Sequence, residues 1–485
     1  MAGGYFMSDG RLIVLERHPD GPREACGVLG IWGKERSAEV AHLCYLGLYA
    51  LQHRGQEGAG IVTFDGERMR LCKGVGLVPD VFDEDNLAEL EGFAGIGHVR
   101  LAGKEERHVV NTQPFLVRSS YGSLAAAQNG RLLNGSELQE KLLSAGTVLQ
   151  TDSDSELILN LIAQSGEESL PAAVAKTLEL IEGAYALVVL SEDMLLAARD
   201  PWGNRPLSLG RLDEGYMVAS ESCAIANLGG EVIREVEPGE LLILDQGGWR
   251  TYRQQGAARK ALCSFEHVYF ARPDSCIGGK NAYLVRKAIG RELAKEAPVN
   301  ADVVIGAPDS GVAPALGFAE AAGLPFEIGV IKNRYVGRTF MRPTQAARRM
   351  AVRIKLNPVV DVLHGKRVAV VDDSIVRGTT SGKLITLLRD AGAREVHMYV
   401  ASPPYRFPCF YGNEPSSQSE LVASGRTLDE LKDLIGADSL HYISIDGLVR
   451  AIGIPRDQLC LACFTGEYPI APANYWREED GKEHL

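Results

Sequence analysis

No stretch of the chain approaches the roughly 18 consecutive apolar residues that a membrane-spanning helix needs. The apolar run Leu12-Ile13-Val14-Leu15 is too short for the core of a secretory signal. Cysteine is sparse and odd in number, nine in 485 residues. That argues against a disulfide framework and for a reducing, cytoplasmic compartment. Basic charge is in deficit: 51 Lys+Arg face 63 Asp+Glu, a net charge of −12. General nucleic-acid or membrane-surface binding is therefore not expected. A small anionic substrate remains open, because backbone N–H groups at a helix start hold phosphate whatever the net charge. There is no internal repeat and no low-complexity segment. With 45% hydrophobic and 24% charged residues, disordered, collagen-like and coiled-coil architectures are ruled out.

What is present changes texture along the chain. Residues 1–25, rich in Gly, Pro and charge, read as a leader. From Cys26, strand-like runs follow at Gly27–Trp32, Gly60–Phe64, Leu124–Gln128, Ala184–Leu190, Met194–Ala198 and Met217–Ser220. Helices are predicted near Ala38–Gln52 and over Asp154–Gln164, the latter with Ser153 as N-cap. This pattern predicts stacked antiparallel sheets with helices outside, over residues 26–255. After a polar break at Arg253-Gln254-Gln255-Gly256 the rhythm becomes strand, loop, helix, over residues 256–470, with 471–485 as a tail. Apolar runs at Val303–Ile305, Arg367–Val371 and Val396–Ala401 predict buried parallel strands of a doubly wound α/β domain. Ligands of such a domain sit at the carboxyl ends of its strands.

At one such end stands Asp372-Asp373-Ser374-Ile375-Val376-Arg377-Gly378-Thr379-Thr380. A loop of Gly and hydroxyl residues opening a helix offers N–H and O–H groups to a phosphate. The adjacent acids suit ribose hydroxyls or a magnesium ion. This string resembles the phosphoribosylpyrophosphate (PRPP) signature of the type I phosphoribosyltransferases. The resemblance implies that Asp372 and Asp373 hold the ribose and Mg²⁺, and that Ser374, Arg377, Gly378, Thr379 and Thr380 hold the 5′-phosphate. Pro308-Asp309-Ser310-Gly311 resembles the pyrophosphate loop, with Ser310 joining the metal site. Lys332 to Phe340 resembles the closing lid, with Lys332 and Arg338 facing pyrophosphate.

In the first half, Cys26-Gly27-Val28-Leu29-Gly30 is followed by Gln52-His53-Arg54-Gly55, Gly97-His98-Val99-Arg100, Gln128-Asn129-Gly130 and Asp152-Ser153-Asp154. Together these resemble the N-terminal-nucleophile glutamine amidotransferases, which implies an αββα fold. By that resemblance leader removal exposes Cys26, whose own α-amine serves as base. Arg100 clamps the glutamine carboxylate and Asp154 its ammonium. The Asn129 amide and the Gly130 N–H form the oxyanion hole. His53 and His98 read as structural. The chain departs from the family pattern at Leu101-Ala102-Gly103, where Tyr-Ser-Thr is usual, and at Gln128 and Arg131, which flank Asn-Gly in place of His and Asn.

Cys460-Leu461-Ala462-Cys463 is a CxxC pair, and Cys263 and Cys409 could complete a set of four. Spacing alone suits zinc or a [4Fe–4S] cluster. The four positions resemble those of the cluster-bearing subset of the glutamine PRPP amidotransferases, which implies a cluster of structural or regulatory rather than catalytic role. The resemblance runs from about residue 24 to residue 470. Its implied activity joins PRPP and glutamine-derived ammonia into 5-phosphoribosylamine, the opening of purine synthesis. It also implies homo-oligomers inhibited by purine nucleotides. Two alternatives follow from the altered glutamine loop. One is a paralogue using free ammonia or another amine donor; the other is a non-catalytic nucleotide-binding subunit.

Overall fold

Two antiparallel sheets lie face to face in the first half of the computed structural model, which describes residues 7–8, 11–12, 26–33, 39–101, 108–213, 215–254, 259–333, 356–413 and 417–471. Of the leader, only the paired dipeptides Met7–Ser8 and Arg11–Leu12 are described; the tail beyond 471 lies outside. One sheet has seven strands, with Gly27–Gly33 beside Ala94–Arg100 near its centre; the other has six, with Gly122–Leu132 beside Gly183–Leu190. Between them lies a buried apolar layer of Val28, Val62, Ala125, Val188, Leu195 and Leu242. The outer face of the seven-stranded sheet is covered by the helices Val40–Ala50 and Ser222–Asn227. That of the six-stranded sheet is covered by Gly135–Ser144, Asp154–Ala163 and Leu170–Leu180. This is the expected αββα stack. With both faces covered, a central strand such as Gly183–Leu190 is apolar at nearly every position, so its sequence does not alternate.

Ser153 occupies the N-cap of Asp154–Ala163, but its side chain makes no capping bond. The Ser153 carbonyl accepts the Glu156 N–H at 3.0 Å, and the Glu156 side chain ties the preceding loop, accepting the N–H groups of Gln150 and Thr151 at 2.8 Å each. The helices Gly135–Ser144 and Leu170–Leu180 were not legible as elements.

The second half is built on a four-stranded parallel sheet, ordered Val303–Gly306, Arg367–Asp372, Glu395–Val400, Ser439–Tyr442. Alternate residues of each strand feed two cores. Val304, Ala369 and Val371 face the helices Ala282–Glu296, Val312–Ala322 and Ile445–Ile452. Val303, Ile305, Val368 and Val370 face Thr379–Asp390 and Leu428–Ile435. A third, small cluster joins the halves: Ala184 from the first meets Ala261, Tyr411, Cys460 and Ala462.

Candidate active site

Cys26 enters the strand Gly27–Gly33 and is half-buried. Its Sγ accepts the Leu101 N–H at 3.3 Å, just past the end of Ala94–Arg100. Burial pushes the thiol above its ordinary value, and the Leu101 N–H and the charges of Arg100 and Arg205 pull it back. Arg100 ends its strand almost fully buried. On the facing sheet Asn129 is completely buried, and neither its amide nitrogen nor its oxygen has a hydrogen-bond partner. Such a group costs free energy unless a ligand completes it. Gly130 beside it has φ +136°, and a Cβ there would come within 1.9 Å of the Ala184 carbonyl oxygen. Only glycine fits. Asp154 accepts the Leu132 N–H at 2.9 Å.

Gln128, next to Asn129, is held from two sides, by His98, which the sequence marked as structural, and by Gln113, which it did not single out. Gln113 accepts the Gln128 N–H at 2.7 Å and the Ser155 hydroxyl at 2.6 Å. His98 bonds the Gln128 carbonyl at 3.1 Å. Burial and nearby positive charge lower His98 to about 3, so it is neutral.

In the second half, Asp372 ends the central strand and Asp373 follows; both are buried. Burial holds both carboxyls above their ordinary value, and for Asp372 the charge of Asp373 adds to this. Ser374 donates to Asp373 at 2.5 Å, and Ser310 also hydrogen-bonds it. The neighbouring strand end thus meets the acid pair. Gly378, at φ +77°, caps the helix Thr379–Asp390, which begins with Thr379 and Thr380. Lys332 reaches the same region, its Nζ 2.8 Å from the Asp309 carboxylate. Arg377 is engaged by Glu420, with Nε 3.0 Å from Oε2. Arg338, with the rest of 334–355, lies outside the described residues.

The four cysteines Cys263, Cys409, Cys460 and Cys463 line one cavity of about 20 Å³, together with Phe265, Tyr405, Tyr411 and Tyr468. Burial raises Cys263 and Cys463 well above the ordinary thiol value and Cys460 to about 12. Among the described residues no group of three or more His, Cys, Asp or Glu is arranged to hold a metal ion.

A buried charge network crosses between the halves. Arg54 binds Glu221 through Nε at 2.5 Å and Glu266 through Nη2 at 2.5 Å. Glu221 also accepts His53 at 2.6 Å, the Arg272 N–H at 2.9 Å and Ser275 at 2.5 Å. The signal for it was Glu266 inside the aromatic run Phe265–Phe270, where an acid requires a buried partner.

Comparison with known proteins agrees with this geometry. The sequence profile described as "Glutamine amidotransferase domain" matches residues 98–227. The chain is 48% identical to the amidophosphoribosyltransferase of Bacillus subtilis over 454 residues, covering 93% of this chain and 95% of that one. It is 47% identical to that of Methanocaldococcus jannaschii, covering 92% and 97%. The solved structure of the B. subtilis glutamine PRPP amidotransferase, complexed with ADP and GMP, superposes with a TM-score of 0.88, covering 92% of this chain and 98% of that chain.

Fold and paired centres define a pentosyltransferase that carries a glutamine amidotransferase domain of the N-terminal-nucleophile class. More narrowly, the chain belongs to the amidophosphoribosyltransferases. No helix among the described residues is long and apolar enough to cross a membrane.

Proposed function

We propose that the chain makes 5-phosphoribosylamine from PRPP, glutamine and water, releasing glutamate and pyrophosphate, with the residues above in stated roles. The observation that carries this is the buried, unpartnered amide of Asn129 on the sheet facing the Cys26 thiol. An amide left unpaired in a closed structure is suited to an oxyanion that exists only during the reaction. Arg100 and Asp154 bind the carboxylate and ammonium of glutamine. The Cys26 thiolate attacks the side-chain amide carbon, and Asn129 Nδ2 and the Gly130 N–H receive the negative oxygen. The C–N bond breaks, ammonia leaves with a proton from the Cys26 α-amine, and water hydrolyses the thioester to glutamate.

At the second centre ammonia attacks C1 of the ribose as the bond to pyrophosphate breaks. Asp372 and Asp373 hold the ribose hydroxyls, and the loop from Ser374 to Thr380 holds the 5′-phosphate against the helix start. Lys332 and Arg338 face pyrophosphate. Oxygens of the buried Asp372 and Asp373 and of the half-buried Ser310 suit Mg²⁺, a hard cation, which when bound would neutralise pyrophosphate charge. The domain limits are 26–255 and 256–470, with 1–25 removed to free Cys26.

The four thiols are the donor set of a soft centre. Their positions resemble those of the cluster-bearing subset of the family, which favours a [4Fe–4S] cluster. Purine nucleotides as inhibitors, and a cytoplasmic homo-oligomer, complete the reading.

The test is pyrophosphate release from PRPP and Mg²⁺, with glutamine and with ammonium in parallel. Release with both supports the reading; release with ammonium alone removes Cys26, Asn129 and Gly130 from it.

A further inference from the structure

The turn Asp200–Arg205 joins the cysteine cavity to the oxyanion strand. Asp200, fully buried, accepts the N–H groups of Trp202, Asn204 and Arg205 at 3.1, 3.0 and 3.0 Å, which fixes the turn. Asn204 leaves it towards the cavity, which it lines, and donates to the Ala261 carbonyl at 2.9 Å.

Arg205 is fully buried and binds the opposite wall. Its Nε donates to the Tyr411 carbonyl at 3.1 Å, its Nη2 donates to the same oxygen, and its Nη1 donates to Asn413 Oδ1 at 3.0 Å. Tyr411 and Asn413 both line the cavity, close in sequence to Cys409. Between them Gly412, at φ +101°, lies directly on Gly130. A Cβ at Gly412 would stand 3.1 Å from the Gly130 carbonyl carbon and 3.2 Å from Arg205 Nη2. Gly130 is thus pressed between Ala184 and Gly412.

We propose that Arg205 is a positioning residue that holds the Tyr411–Asn413 wall of the cysteine cavity against Gly130 and so sets the oxyanion donors. A guanidinium does this with a rigid fork that spans two acceptors, and an ammonium cannot. The position matters because small displacements of preorganised donors cost large factors in rate. The charge of Arg205 also favours the Cys26 thiolate. The proposal rests on the reading of Cys26, Asn129 and Gly130 as the glutaminase centre.

The experiment uses the full chain, purified anaerobically, as wild type, Arg205→Lys, Arg205→Met and Cys26→Ala. Glutamine hydrolysis, ammonium-dependent pyrophosphate release, iron per chain and thermal midpoint are measured on each. Both Arg205 variants are expected to lose about 100-fold in kcat for glutamine, the loss typical of a displaced oxyanion donor. KM, the ammonium-dependent rate and iron content stay within about threefold, because only the step through the oxyanion is disturbed. A kcat within about threefold of wild type would overturn the positioning role. So would a parallel loss of both activities and of thermal midpoint in Arg205→Lys, which would mark a merely structural residue. Glutamine hydrolysis that survives Cys26→Ala overturns the site reading, and this proposal with it; survival in Arg205→Met but not in Cys26→Ala overturns the proposal alone.

Discussion

Arg54 and Glu266 form a two-pronged ion pair between the halves of the molecule, Nη2 to Oε2 at 2.5 Å and Nη1 to Oε1 at 3.2 Å, with both side chains fully buried. Such a pair is held by mutual need, since either charge alone in that environment is severely penalised. Glu266→Ala is expected to destabilise the protein by about 3–5 kcal/mol. Arg54→Met should cost at least as much, because it leaves the buried carboxylates of Glu221 and Glu266 without their shared guanidinium. Urea unfolding of wild type and the two variants decides this; a loss below about 1 kcal/mol in either would contradict it.

The unpaired amide of Asn129 gives a prediction with opposite signs for stability and function. Asn129→Leu keeps the number and branching of the side-chain heavy atoms and removes a buried polar group without a partner. The variant should be as stable as wild type or more so, by about 0.5–2 kcal/mol. Its glutamine-dependent turnover should fall by about 10²–10³-fold, with ammonium-dependent turnover retained. Thermal melting and the two pyrophosphate assays, side by side, read both effects.

The acid pair predicts a pH dependence. Asp372 and Asp373 have raised values in the fold, so the folded state holds their protons longer than the unfolded state does. Their contribution to stability therefore declines as pH rises from the ordinary carboxylate value through the raised ones. Asp372→Asn should flatten that decline, and should raise stability near neutral pH by about 0.5–2 kcal/mol in the absence of Mg²⁺. It should also weaken Mg–PRPP binding at least about tenfold, the loss attached to one polar group of a metal site. The check is the difference in urea-unfolding free energy between wild type and variant across pH, with calorimetric titration of PRPP.

The cavity of Cys263, Cys409, Cys460 and Cys463 predicts about four iron and four sulfide per chain in anaerobically purified protein, the content of one cluster. Cys463→Ser should lower the iron content and the thermal midpoint together, because binding of a group to the native state alone adds to stability. Stoichiometric zinc without sulfide would refute the cluster and leave the four-thiol site standing.

Much of the molecule was legible because it is written in local chemistry. Asp372 to Thr380 carries acids, hydroxyls and glycine in one loop, so strand end, turn and helix start could be placed without knowing their neighbours. The strand Gly183–Leu190 was legible from its unbroken apolar run. The helices Gly135–Ser144 and Leu170–Leu180 were not, since each covers one face of a sheet with a short, mixed segment. At Asp154–Ala163 the position of the helix start was readable, while the role of Glu156, whose side chain ties down the preceding loop at Gln150 and Thr151, was not.

The sequence by itself determined the two domain classes and marked Cys26, the acid pair and the four cysteines as candidates, because short motifs that resemble known families carry each of them. Only the tertiary structure decided which distant groups meet. It left the Asn129 amide unpaired, closed Arg54 between Glu221 and Glu266, and gathered cysteines from Cys263 to Cys463 round one cavity. It also laid Gly412 on Gly130. Those relationships arise where separate elements pack, and packing is set by the shapes of all the surfaces that meet, which no local stretch of chain encodes.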